Sequence, residues 1–487
     1  MQSKLLFAQA GVAHRTHVPE RLAQPLKPVL EATIARLIEE KPAFLAEMVA
    51  QYGSPLHLVW PDNLTRNVEA FRAVLNAHGL RHLIFYGAKV NKSQALVCAA
   101  VGAGAGVDVS SIHEWRDAVS AGADPRNLCA TGPAKTRAFH AELVAGNALI
   151  SIDSAEELQG LRACLRESEH SQKARVLLRY RPALSRASRF GMGPDELLHC
   201  LRQLSQDGAR LAFEGFHFHL GGYAHETRAQ ALRELIPHVE AARALGLKPQ
   251  IIDIGGGMPI QYVDSDDYEA FLHAQNSSHY RNARVPDAFY PYGGRLDACQ
   301  WLDRFLEAPS RGGLSIAGYL KAEDLTLAIE PGRSLADQAA ISVFRVTRVK
   351  PLADGHVIFV EGSSFSACET WFTSEFLQDP ILVPVSAAAA VDETANPPSF
   401  FRAYIAGHSC LDDDVLTNRL ISFNRIPRAG DLLVYGNTGG YQMDLLENEF
   451  HRHPMPRRVA VHCNAAGGFD VSPDDPREQL DDIEQSD

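Results

Sequence analysis

Leu83-Ile-Phe-Tyr86-Gly-Ala-Lys89-Val-Asn-Lys92 is an apolar run that closes on a glycine, an alanine and a lysine. It reads as a buried strand whose lysine sits at the strand end and not on a solvated face. Working outward, similar runs recur at Val107–Ser110, Ala148–Ile152, Arg175–Tyr180, Glu214–His219, Ile251–Ile254 and Leu325–Ile329, mostly separated by amphipathic stretches of helix length. Six or more strand-then-helix units predict a parallel sheet, and about 270 residues suits a closed (β/α)8 barrel. Past residue 334 short runs rich in Val, Ile and Phe (341–349, 356–360, 401–406, 431–435) alternate with turn residues, which predicts an antiparallel β-domain.

The expected fold class is therefore α/β, a TIM barrel followed by an antiparallel β-domain. The expected divisions are an N-terminal extension (1–54) partly joining the β-domain, the barrel (55–334), the β-domain (335–469) and an acidic disordered tail (470–487). Within the extension, Val29–Val49 carries helical spacing, and Pro55–Trp60 starts a strand.

Composition narrows the function classes. The chain has 487 residues, 46% of them hydrophobic, enough for two cores. A net charge of −12 disfavours nucleic acid and anionic membranes, both of which need a basic footprint. The longest apolar runs fall short of the ~18 to 20 residues of a membrane helix, and Met1–His14 lacks a signal-peptide core, so a cytoplasmic location is expected. Eight cysteines without a C-x-x-C pair argue against a zinc ribbon or a disulfide framework. Gly102-Ala-Gly-Ala-Gly106 has the wrong order for a dinucleotide turn, since it leads from a helix into a strand, and reads as a tight loop.

Lys89 on its own fits either a solvent-reaching strand-end lysine or a desolvated amine, whose lowered pKa would favour imine formation. Other segments supply a context. Gly255-Gly-Gly257 ends a strand and lets backbone N–H groups approach a phosphate. Glu330-Pro-Gly-Arg333 ends another, with an acid for a protonated pyridine nitrogen and an arginine for the phosphate. Both belong at the barrel face where active sites form. His217 and His219 share one strand face, as a metal pair or as an imidazole stacked on a ring; no further metal-ligand motif accompanies them, so no metal is expected. Together these groups supply what pyridoxal 5'-phosphate (PLP) needs from a protein.

At this point the chain, over roughly residues 55–465, resembles the fold-type III PLP-dependent decarboxylases, which include the diaminopimelate, ornithine and arginine decarboxylases. The resemblance implies that Lys89 forms the Schiff base, that Asp108 belongs to the next strand motif (Asp108 to Glu114), and that Arg189-Phe-Gly191 is the basic-Phe-Gly element. It further implies that His219 stacks on the ring, that Gly255, Gly256, Gly257 and Arg333 hold the phosphate, and that Glu330 pairs with the pyridine nitrogen. Cys410 and Tyr441 match residues brought to the site at a dimer interface, Cys410 from the opposite subunit, so a homodimer with shared sites is expected.

Three departures bear on the substrate. Gly222 stands where the family has a serine, and Leu411 where it has an acid facing a distal amine, although Asp412 or Asp413 could take that place. Gly257 and Glu330 are 73 positions apart, and the extra segment, expected at about 276–312, brings Tyr290, Tyr292 and Arg295 as candidate substrate contacts. The implied activity is decarboxylation of an amino acid or amino-acid conjugate through the Lys89 Schiff base and a quinonoid intermediate, with Cys410 protonating Cα. The alternatives are a racemase on the same scaffold, against which Glu330 speaks, and a non-catalytic PLP-binding protein, against which Cys410 and Tyr441 speak.

Overall fold

The structure is a computed structural model that describes residues 25–167, 172–206, 208–286, 289–353, 355–367, 374–385 and 401–475. After β1 (Leu56–Val59) come the eight strands of a closed parallel barrel: β2 (His82–Gly87), β3 (Gly106–Val109), β4 (Leu128–Ala130), β5 (Leu149–Ile152), β6 (Ala174–Arg179), β7 (Leu211–His217), β8 (Ile251–Asp253) and β9 (Thr326–Ile329). Helices cover their outer faces, so the strands are buried on both sides and read as continuous apolar runs.

Period-two geometry orders the barrel interior. The inward plug consists of Phe85, Cys129, Leu149, Leu177, Ile251 and Ala328. Gly106 belongs to the same layer, because a Cβ there would collide with the Phe85 ring. Two residues further along each strand the inward positions are Gly87, Asp108, Thr131, Ser151, Arg179, His217, Asp253 and Glu330. The plug closes the bottom, and this polar layer at the strand carboxyl ends forms the floor of a cleft.

The second sheet has nine strands. β10 (Ala340–Leu352), β11 (Gly355–Val360), β12 (Ile381–Val383), β13 (Phe401–Ala406), β14 (Val415–Phe423), β15 (Leu432–Tyr435), β16 (Arg457–Cys463) and β17 (Phe469–Pro473) join β1 in it. Most pairs are antiparallel, but β1 with β16 and β11 with β13 run parallel. Among the described residues no helix is long and apolar enough to cross a membrane.

The boundaries shift in four places. β1 lies beyond residue 55 yet belongs to the second sheet, because Leu56 and Leu58 pack with Ile341, Val343 and Val459. The helix expected over Val29–Val49 is two helices, Ala32–Glu40 and Pro42–Tyr52, since proline suits the first position of a new helix and not the interior of an old one. The supposed tail begins inside β17, and Asp474 accepts hydrogen bonds from Ser93 and Gln94; residues 476–487 and Met1–His14 lie outside the described residues.

The fourth shift concerns the extra segment. Helix Ala298–Glu307 is a barrel helix whose Trp301 and Phe305 join the barrel core. The added piece is instead residues 258–286 and 289–297, whose Tyr262, Tyr268, Phe271, Tyr280 and Tyr292 pack with Phe344, Ile405, Leu416 and Tyr435 of the second sheet. It fastens the two parts together.

Candidate active site

Lys89 follows β2 in a single 3-10 turn, Ala88–Val90, which carries its amine over the polar layer. Its Nζ donates to Asp108 Oδ2 at 2.6 Å, and Thr131 Oγ1 donates to Asp108 Oδ1 at 2.6 Å, so the carboxylate is held from both sides. One of the two sequence readings of Lys89 is an amine made neutral by burial. Burial does act in that direction, but Asp108 and Glu330 outweigh it and hold the ammonium above its ordinary value. The side chain is also 40% open to the cleft, as the solvent-reaching alternative has it.

One side of Lys89 is a tight pocket of about 130 Å³ that His219, Gly222, Gly256, Gly257, Glu330, Arg333, Tyr441 and Tyr290 share. The expected cofactor residues therefore come together. Gly256 N donates to His219 Nδ1 at 3.2 Å, and burial, with Arg228 nearby, keeps that imidazole neutral by pushing its pKa well down. Gly255 and Gly257 have φ of +69° and +85°, and side chains there would strike His219 and Arg228 respectively. Gly222 has φ +81°, a left-handed backbone conformation that disfavours a side chain there. Arg333 donates to Gly440 O at 2.7 Å and lies over the rings of Tyr290 and Tyr441, 4.1 and 5.0 Å from their centroids.

Beneath the cleft, Cys129, Asp253 and Glu330 bring a thiol and two carboxyl groups within 4.8 Å of one another. Burial pushes Glu330 well above the usual carboxylate range, with Asp108 and Asp253 adding to the push, and burial raises Asp253 as well. Glu330 Oε1 is buried with no hydrogen-bond partner, and His217 Nε2 stands 3.6 Å away. His217 is anchored by Ser151 Oγ at 2.7 Å and kept neutral by its burial.

A pH dependence follows with a definite sign. A carboxyl group whose pKa is raised by folding binds a proton that the unfolded chain has released, so stability is full below the unfolded pKa and declines as pH rises. In cofactor-stripped protein the stability that Glu330 and Asp253 contribute should be lost from about pH 4 upward, so Asp253→Asn should gain stability relative to wild type as pH rises toward neutrality. Denaturant midpoints across pH check it.

On the other side of Lys89 the cleft widens to about 700 Å³, lined by Thr131, Arg179, Leu184, Arg189, Phe190 and His217 among others. Arg179 pairs with Asp153 at 3.2 Å and lies over the Phe190 ring at 4.8 Å, while Gly191 N donates to the same Asp153 at 3.1 Å. Arg179 and Arg228 are site residues that motif reading passes over; the inward period of β6 would have revealed the first.

Other expected residues fall elsewhere. Cys410 and Leu411 sit on the exposed loop after β13, outside the cleft of their own chain, with Cys410 Sγ 3.2 Å from His451 Nε2. Asp412 and Asp413 are ion-paired with Arg281 of the added segment at 3.2 and 2.7 Å. Tyr292 is fully buried between Tyr262 and Phe376, and Arg295 pairs with Glu269 and Asp266 at the surface. The expectation that these two touch substrate is therefore corrected: aromatic packing and surface pairing account for both. Tyr290 alone of the three reaches the cleft.

The residues present fit PLP. Lys89 offers an amine, the glycine loop is a cradle that a Cβ would fill, and Glu330 lines the pocket with a carboxyl group suited to a ring N–H. The profile of the family described as pyridoxal-dependent decarboxylase, pyridoxal binding domain, matches residues 62–288. The uncharacterized protein y4yA of Sinorhizobium fredii is 56% identical over 93% of this chain and 98% of its own length. Diaminopimelate decarboxylase of Zymomonas mobilis is 24% identical over 86% of this chain and 90% of its own. Among solved structures, diaminopimelate decarboxylase from M. jannaschii in co-complex with L-lysine superimposes with a TM-score of 0.67 at 18% identity, covering 88% of this chain and 91% of that one.

Proposed function

Because this chain belongs to the fold-type III PLP-dependent decarboxylases, we propose that it removes the α-carboxylate of an amino acid, or of an amino-acid conjugate, as CO₂. The observation that carries the reading is the buried Glu330 carboxyl, which lines the cleft together with Lys89, His219 and the glycine loop. An acid there keeps a ring nitrogen protonated, which suits departure of CO₂ better than racemisation does. Bound in this cleft, PLP supplies the electron sink that accepts the pair left behind by CO₂.

The chain's own residues do the rest. Lys89 would hold the cofactor through its amine, and Asp108, steadied by Thr131, orients that amine. The neutral His219 ring, fixed by the Gly256 N–H, forms one wall, while Gly222, Gly255 to Gly257, Arg333 and Tyr441 hold the phosphate end. Cys410 delivers the proton to Cα from the partner subunit of a homodimer, a role supported by its exposed loop and its distance from the cleft of its own chain. Mixed dimers of Lys89→Ala and Cys410→Ala subunits should therefore regain part of the activity that each homodimer lacks. Verified heterodimers with no recovery would remove the sharing.

The substrate reading rests on charge. Among the described residues lining the wide part of the cleft, Glu330 is the one carboxyl group, against Arg179 and Arg189. Leu411 offers no acid, and Asp412 and Asp413 are held by Arg281. Burying a distal ammonium without a partner is costly. Ornithine, lysine and diaminopimelate should thus show kcat/KM about 10- to 100-fold below amide-capped analogues, and Leu411→Glu should narrow the gap. Efficient turnover of diaminopimelate by the unaltered enzyme would sink this substrate class.

A further inference from the structure

Arg228 stands in the first turn of helix His225–Ala244 and is 1% exposed. Two features of the site disfavour it. A cation at a helix N-terminus opposes the helix dipole, and a buried guanidinium needs a counter-charge. Among the described residues no carboxylate forms an ion pair with it, and its Nε and Nη1 are buried without hydrogen-bond partners. Burial pushes its pKa down to about 10.

Its one hydrogen bond among the described residues shows what it does. Arg228 Nη2 donates to the carbonyl of Gly256, behind the glycine loop. The peptide plane is rigid and trans, so pinning that carbonyl backward turns the N–H of Gly257 forward, toward the pocket. Among the described residues this N–H has no acceptor. Close beside it, Gly222 has no hydroxyl to offer, and its carbonyl would lie 3.3 Å from a Cβ on Gly257.

From this geometry we propose that Arg228 is a positioning residue for the cofactor phosphate: it aims the Gly257 N–H and sets a buried positive charge without an ion-pair partner behind the loop, in place of the missing hydroxyl at 222. The inference rests on the phosphate lying at the glycine end of the cleft. It also gives the buried charge its counter-ion, the phosphate dianion, without which the guanidinium is a source of instability.

The test compares PLP with pyridoxal, which lacks the phosphate, by fluorescence titration of cofactor-stripped protein and by release rates from holoenzyme. Arg228→Met should weaken PLP by about 10- to 100-fold and leave pyridoxal within about threefold. In addition, 10-fold steps in inorganic phosphate should raise the thermal midpoint of stripped wild-type protein and leave that of the variant unmoved. Equal weakening of both ligands, or of neither, overturns the proposal. Should Arg228→Met not accumulate as folded protein, Arg228→Gln serves, and retained preference for PLP in that variant overturns it equally. A wild-type protein that binds PLP no better than pyridoxal would instead remove the phosphate site itself.

Discussion

Lys89→Ala should lower kcat/KM by at least about 10⁴-fold and leave no cofactor that borohydride can fix to the peptide spanning residue 89. The size of the effect follows from the arrangement around the amine. Asp108 approaches Nζ at 2.6 Å and is itself held by Thr131, so the lysine is oriented before any substrate arrives. No other described lysine lines either part of the cleft. Removing the amine also leaves Asp108 and Glu330 without their nearest cation, so the variant should bind PLP weakly as well as react slowly. A fixed adduct elsewhere on the chain, or activity within tenfold of wild type, would show that the reactive amine has been misplaced.

Glu330→Gln should reduce kcat by about 10²- to 10³-fold with little change in KM, because a neutral amide accepts a hydrogen bond but does not stabilise a protonated ring nitrogen. The same substitution removes a carboxyl group that burial and its neighbours Asp108 and Asp253 hold well above the usual range. Cofactor-stripped Glu330→Gln protein should therefore be at least as stable as wild type at neutral pH, even though the loaded enzyme is slower. A variant that loses both activity and stability would mark Glu330 as a structural strut. Steady-state kinetics together with thermal midpoints separate the two outcomes.

Much of the fold was legible because barrel strands are apolar runs and their ends carry the chemistry. Seven of the eight barrel strands could be read; β4 escaped because Leu128-Cys-Ala130 is three residues long and no pattern emerges from so short a run. The second sheet was harder, since β1 comes from the far side of the barrel in sequence and pairs with β10 and β16. Among site residues, Gly255 to Gly257, Glu330 and Arg333 announced themselves by glycines and charges at strand ends. Arg228 did not, because a lone arginine in an amphipathic helix looks solvated until the structure buries it.

The misreadings have physical causes too. Lys89 left two readings open, a desolvated amine and a solvent-reaching one, because its charge is set by Asp108, 19 residues away on the neighbouring strand, a pairing that only the barrel register creates. Aromatic content in the added segment does not reveal which way a ring faces. Tyr290 turns to the cleft, and Tyr292, two residues on, turns into the core.

The measurement that bears most directly on the central claim uses amino acids and amide-capped analogues labelled at the α-carboxyl carbon, turned over in deuterated water. The account predicts labelled CO₂ and an amine product with one deuteron at Cα. Racemised amino acid that keeps its label and gains a deuteron, or no exchange and no CO₂ from any member of the panel by enzyme shown to carry PLP on Lys89, would contradict it.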